Sequence, residues 1–385
     1  MTVYKRTGAK SWAYSIDLDA ADPKRPRAYK GRFATRKAAE AAERAALVAI
    51  ERGTYVDPTT ITVAAYLDRW LDHVGSRVTR STLARYREIA RVHLVPAFGT
   101  TPLTKLQPLA IQAAYEAWLT EGRRDHRKGG LSARTVLHHH RILKQALRQA
   151  VRWRLIIANP ADAVEPPRPV RVEMRSLDAP ETATLLDHAT GTRLHAPLLL
   201  SVATGLRRGE LLALRWKDLD LDAATLRVER SLEIVRGQGT LAFKTPKTTK
   251  SRRVVALPSL VVEALRAHRV TQVAERLAAG PAYDDQDLLF ADQIGRPWHP
   301  DAFVSAFRKI VAKAKLGHVR LHDLRHSHAT ALLRAGVHPK IASERLGHAT
   351  VGITLDLYSH ASTAMQEDAA AKVDTALRAA LGETR

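Results

Sequence analysis

The run Glu165-Pro-Pro-Arg-Pro-Val170 can lie neither inside a helix nor in a central strand. Each proline lacks an N–H, and the residue before it is steered to extended backbone. Helical patterns flank this run on both sides, so the chain must fold as at least two units joined by an open linker. At 385 residues there is material for two or three domains, each with its own core. A second break, Gly53 followed by Asp57-Pro58, closes a helical pattern and sets off a small N-terminal segment. The expected division is 1–58, 61–169 and 175–385.

The three segments read differently. In 1–58, Ser11 to Asp17 and Ala28 to Phe33 alternate like short strands around a polar turn at Asp22-Pro23. A helix from Thr35 to Glu51 follows, with alanines, Leu47 and Ile50 on one side. This α+β module is of a kind in which a β-ribbon enters a DNA groove. Residues 61–169 are all-α, with helices Val63 to Val74, Ser81 to Val95, Gln107 to Thr120 and Ala133 to Arg154, punctuated by Gly99, Gly129-Gly130 and Asn159-Pro160. On the last helix Val136, Leu143, Leu147 and Val151 share a face, which leaves Arg141, Lys144, Arg148 and Arg152 for a polyanion. The third segment is mainly α with a small antiparallel sheet. Thr225 to Val235 and Thr240 to Lys244 form a hairpin about Gly237-Gln-Gly239, and a third strand, Arg252 to Leu257, follows a loop. The expected fold is thus multidomain, mainly α with small β-sheets.

Composition narrows the partners. The 61 Lys and Arg against 39 Asp and Glu leave a formal +22, and 61–169 is the most basic part, with 18 basic and 8 acidic residues. Such a balance favours nucleic acid or an anionic membrane surface. No apolar run reaches the length of a membrane span and no signal peptide opens the chain, so nucleic acid is the expected partner. The expected location is cytoplasmic, with the nucleoid. Zero cysteines remove disulfides, thiolate metal sites and cysteine nucleophiles, so covalent catalysis must use oxygen or nitrogen. No phosphate-binding loop or paired acidic motif is present, and no cofactor or metal is expected.

The chemistry-bearing residues cluster late. Ala203 to Trp216 contains Gly205-Leu-Arg-Arg-Gly-Glu210; Leu321-His-Asp-Leu-Arg-His-Ser-His follows downstream; Leu346-Gly-His348 precedes Tyr358 by ten residues. His322 and Arg325, at i and i+3, share a helix face. A guanidinium offers paired donors that stay charged, so Arg207 and Arg325 suit the two non-bridging oxygens of one phosphate. Tyr358 is then the candidate nucleophile, and Glu210 can orient Arg207. Other assignments stay open. Arg208 adjoins Arg207, Lys244 and Lys250 flank Lys247, and His322 with His326 has metal-pair spacing. The triplet His138-His-His140 reads as packed or solvated side chains.

Thr204-Gly-Leu-Arg-Arg-Gly-Glu210, Pro246-Lys-Thr248, His322-Asp-Leu-Arg325, Leu346-Gly-His348 and Tyr358, in this order, resemble the tyrosine recombinase family in its phage-integrase branch. The resemblance implies a catalytic set of Arg207, Lys247, His322, Arg325, His348 and Tyr358, with Lys247 as the acid for the leaving 5′ oxygen and Glu210 in support. It implies an arm-type DNA-binding module at 1–58, with Lys5 and Arg6 in its first basic stretch. It implies a helical core-binding, SAM-like domain at 61–169 and the recombinase catalytic domain at 175–385. Double-stranded attachment sites, a homotetramer on DNA, an accessory excision factor and a host DNA-bending protein are implied as partners. The terminal stretch Gln366 to Leu381, with Ala369, Val373, Leu377 and Leu381 at fourfold spacing, is expected to dock on a neighbouring protomer. Two other readings keep the same scaffold: a non-catalytic DNA-binding regulator, and a recombinase that resolves dimers or relaxes DNA.

Overall fold

The structure, a computed structural model, describes residues 3–5, 10–17, 27–51, 61–123, 128–170, 174–235, 239–245, 252–348, 350–358 and 363–381, without the side chains of 356–369. Two compact units divide it, Met1–Arg171 and Val172–Arg385.

In the first unit, β1 (Val3–Lys5), β2 (Trp12–Asp17) and β3 (Arg27–Phe33) form an antiparallel sheet in that order, with Tyr4 opposite Ala13 and Tyr14 opposite Lys30. The strand β1 adds to the two expected from alternation, since three residues are too few to show a period. Helix α1 (Arg36–Glu51) closes this core with Ala39, Ala42, Ala46 and Ile50 against Tyr14, Ile16 and Ala28. Leu47, expected on that face, is exposed, because a residue adjacent to Ala46 is turned about 100° away from it.

Around a second core stand α2 (Val63–Gly75), α3 (Arg80–Ile89), α4 (Val95–Phe98), α5 (Pro108–Glu121) and α6 (Ala133–Arg152). Thr62 and Ser132 cap α2 and α6 through bonds from the backbone N–H of Ala65 and Thr135. The helix expected from Ser81 to Val95 is interrupted by a π-turn over Ala90–Leu94. Pro96, at the second position of α4, has no N–H for the carbonyl of Val92, and the wider turn absorbs the break. Val136, Leu143 and Leu147 are buried as expected, and His139 and His140 join them. His139 packs against His93 and Trp118, and the Tyr115 hydroxyl lies 2.9 Å from Nδ1 of His140. The histidine triplet therefore reads largely as packing.

The second unit starts with α7 (Ala179–Ala189), α8 (His195–Thr204) and the single turn α9 (Arg208–Leu211). Strands β4 (Leu219–Asp220), β5 (Thr225–Val228), β6 (Ser231–Val235), β7 (Thr240–Lys244) and β8 (Arg253–Ala256) come next. The expected hairpin forms from β6 and β7, and β8 is the expected third strand, but the first strand is not continuous. The stretch 225–235 breaks at Glu229-Arg230: β5 pairs with β4 and β8 in one sheet, while β6 pairs with β7 in another. Alternation alone cannot show which partner each half takes. Helices α10 (Ser259–Ala279), α11 (Pro300–Lys313), α12 (Leu321–Arg334), α13 (Pro339–Leu346), α14 (Gly352–Tyr358) and α15 (Thr363–Leu381) complete the unit. Its core gathers Leu198, Leu200, Leu211, Leu226, Phe303, Phe307 and Leu324. No described helix is long and apolar enough to cross a membrane.

Candidate active site

Two glycines shape the cluster. Gly205 ends α8 with φ +65°, and a Cβ there would lie 2.5 Å from Leu346 and 2.9 Å from His328. That left-handed turn redirects the chain so that Arg207 caps α9. Gly347 ends α13 in the same conformation, and a Cβ there would meet the Arg253 guanidinium at 2.9 Å. His348 follows immediately.

Three guanidiniums take the last three carbonyls before His348. Arg253 Nε donates to the carbonyl of Arg345 at 2.7 Å, Arg325 Nη2 to Leu346 at 2.6 Å and Arg207 Nη2 to Gly347 at 2.8 Å. A helix C-terminus leaves such acceptors without partners and carries partial negative charge, so cations are held there. Arg325 is buried and its Nη1 also donates to Gly205 at 2.7 Å, joining the ends of α8 and α13 through one side chain of α12.

Glu210 balances the positive charge. Its carboxylate accepts from Arg207 Nη1 at 2.7 Å, from the Arg207 backbone N–H at 3.0 Å and from Arg253 Nη2 at 2.9 Å. Burial alone would raise the Glu210 carboxyl, but the hydrogen bond and charge of Arg253, with those of Arg207, hold it below its usual range. Arg325 is pushed down to about 9 by burial and then by the charge of Arg207. Two like charges pressed together in this way are relieved by an anion between them.

The histidines sit in the same field. His322 is lowered by burial of part of its ring and then by Arg325, and His348 falls to about 4 by burial, then Arg325 and Arg207. Both are neutral near neutral pH. The rings of His322 and His326 meet edge to face with centroids 4.8 Å apart, and no group of three metal-ligating side chains occurs among the described residues. Nδ1 of His348 lies 2.8 Å from Oγ1 of the buried Thr354.

The structure thus brings together Arg207, Glu210, His322, Arg325 and His348, all named from sequence. Arg208 turns the other way, towards the Pro300 carbonyl at 3.4 Å and Asp301 at 3.5 Å. Tyr358 is the last residue of α14, and its side chain lies outside the described residues. Lys247 and Lys250 also lie outside them, as does Arg6. Lys244, the described member of the lysine trio, is paired with Glu233. On α6, Arg141, Arg148 and Arg152 are exposed, and Lys5 is exposed at the end of β1. Lys144, expected to be a free cation, instead pairs with Asp162 at 2.8 Å. Arg253 and Thr354 were missed: one stands beside another arginine in a basic stretch, the other is a lone hydroxyl on a short helix.

Buried neutral histidines make stability pH-dependent. His139 is lowered to about 3 by burial and then His93, and His328 to about 4 by burial and then Arg345. Between the ordinary value of 6.5 and these, the unfolded chain binds protons that the folded chain refuses, so stability falls as pH is lowered through that window. Each should steepen the loss by up to about 1.4 kcal/mol per pH unit. Urea midpoints measured from pH 7 to pH 5 should decline, and less so in His328→Gln; an equal decline in that variant would remove His328 from the account.

Known proteins resemble this chain in sequence and in fold. The phage integrase family model matches residues 175–365, and the phage integrase N-terminal SAM-like domain matches 62–119. The chain is 29% identical to a XerC-like tyrosine recombinase of Caldanaerobacter subterraneus, covering 85% of this chain and 86% of the relative. It is also 29% identical to the ICEBs1 integrase of Bacillus subtilis, covering 69% and 72%. In fold it matches the Tn1549 transposon integrase in complex with a circular intermediate DNA, with a TM-score of 0.68 at 21% identity over 81% of this chain and 99% of that one. A lambda integrase tetramer bound to a Holliday junction matches with a TM-score of 0.55 at 20% identity over 91% and 96%. The family models and the relatives define a site-specific DNA recombinase. The chain belongs to the phage integrase family of tyrosine recombinases, the catalytic site-specific recombinases.

Proposed function

We propose that this chain integrates and excises a phage or other mobile element by transesterification at its own attachment sites. The observation that carries the reading is the convergence of Arg207 and Arg325 with His322 and His348 at the C-terminus of α13. The Tyr358 oxygen attacks the scissile phosphorus, the bond from phosphorus to the 5′ oxygen breaks, and a 3′-phosphotyrosyl ester results. The 5′ oxygen takes a proton from Lys247, and His322, neutral in this setting, can accept the phenol proton. The freed 5′-hydroxyl then attacks the matching ester in a partner duplex. Bond energy is kept in the ester throughout, so neither nucleotide nor metal is required.

The wider assignment rests on the same reading. Residues 1–58 would bind arm-type sites with Lys5 and Arg6 at their edge, 61–169 would grip the core site, and 175–385 would perform the chemistry. Exposed Arg141, Arg148 and Arg152 serve as phosphate contacts, with Lys144 available only if it leaves Asp162. Val373, Leu377 and Leu381 form an exposed apolar stripe on α15, suited to docking on a neighbouring protomer in a homotetramer. An excision factor and a host DNA-bending protein complete the expected partners, in the cytoplasm at the nucleoid. A second reading, resolution of dimers, uses the same chemistry on two copies of one site. Recombination between two unlike attachment sites, as against two identical ones, separates the two.

The test is adduct formation with DNA flanking the gene, in chelator and without nucleotide. Arg207→Ala should slow it by on the order of 10²–10³, whereas Arg208→Ala should change it little. A strict metal requirement, or equal loss from both variants, would count against the mechanism.

A further inference from the structure

Threonines on the described helices commonly spend their hydroxyl on their own backbone. Thr120, Thr184, Thr204, Thr271 and Thr375 each donate to the carbonyl four residues earlier, the usual local bond for a hydroxyl in a helix. Thr354 departs from this habit. It is fully buried on α14, and its Oγ1 lies 2.8 Å from Nδ1 of His348.

The ring it touches is otherwise constrained. The His348 backbone N–H is bound to the Ser343 carbonyl at 3.0 Å, and burial, then the charges of Arg325 and Arg207, keep the imidazole neutral. A neutral imidazole carries one proton, so one nitrogen donates and the other accepts. Non-bridging phosphate oxygens only accept. A ring that serves a phosphate through Nε2 must therefore be protonated there and bare at Nδ1. A bare Nδ1 needs a donor, and the Thr354 hydroxyl is placed to be that donor.

We propose that Thr354 is a positioning residue of the recombination reaction: its hydroxyl donates to Nδ1 of His348, selects the Nε2–H tautomer and so makes His348 a donor to the scissile phosphate. The proposal rests on the reading of His348 as a phosphate donor. It also links two steps. Thr354 stands four residues before Tyr358 on the same helix, so the segment that carries the nucleophile also sets the proton on the histidine.

The experiment is nitrogen NMR of the full chain with labelled histidine, the His348 signals being assigned by their loss in His348→Gln. The parent protein should show Nε2 protonated and Nδ1 bare; a protonated Nδ1 overturns the proposal whatever any variant does. Thr354→Val keeps the shape and removes the donor. It should shift the ring towards mixed tautomers and slow single-turnover adduct formation about tenfold or more, a fraction of the ~10²–10³ that loss of a whole donor costs. Affinity for DNA should be unchanged. Thr354→Ser returns the hydroxyl and should restore both rate and tautomer, which a role in packing alone would not predict. If His348→Gln is slow while Thr354→Val reacts at the parental rate, the proposal fails and the role of His348 stands. If His348→Gln itself reacts at the parental rate, the reading of His348 as a donor fails, and the coupling to catalysis falls with it.

Discussion

Tyr358→Phe protein should bind its DNA site as the parent does and yield no adduct that survives denaturant. One oxygen separates the two side chains, so binding through arginines and lysines elsewhere is untouched. The chain holds no cysteine that could stand in as a nucleophile. The loss should be on the order of 10⁶, the scale on which other enzymes suffer when a covalent nucleophile is deleted. Gel mobility in denaturant reads the adduct, and mobility without denaturant reads binding. Normal recombination by this variant would return the protein to an unassigned nucleophile, while the absence of an adduct from either protein on a nicked trapping substrate would support the regulator.

Arg325 should show the next largest effect, on rate and stability together. Its guanidinium is buried and gives two hydrogen bonds to carbonyls of different elements, Gly205 and Leu346. Arg325→Ala removes a phosphate donor and leaves those acceptors unsatisfied, at about 1–3 kcal/mol each. Arg325→Lys keeps a charge but loses the planar fork that spans both carbonyls and a phosphate. Adduct formation should fall by at least ~10² in the lysine variant, and the urea midpoint should fall further for alanine than for lysine. A lysine variant that reacts at the parental rate would show that charge alone suffices and that the fork is dispensable.

These effects trace to residues that could be named in advance, and others could not. The family resemblance implies Arg207 and not its neighbour Arg208, and the two side chains part company in the structure. The left-handed turn at Gly205 sends Arg207 to Glu210 and Gly347, and the next residue towards Asp301. Arg253 had no such marker. Its partner Glu210 is 43 residues away and its carbonyl acceptor 92, so nothing local distinguishes it from Arg252. Lys144 looked like its exposed neighbours on α6 until the chain returned with Asp162 beside it.

The sequence by itself determined most of the helices of the first unit, the break at the proline run, the family and five of the side chains that meet at the site. Turn chemistry, helical period and motif spacing are local, and a linear string records them directly. Only the tertiary structure decided that β5 pairs with β4 and β8, that 225–235 splits between two sheets, and that three arginines share the carbonyls at the end of α13. It also decided that a threonine four residues before the tyrosine reaches a histidine. Those outcomes depend on which distant backbone groups come to lie within hydrogen-bond range, and that is set by packing of the whole unit.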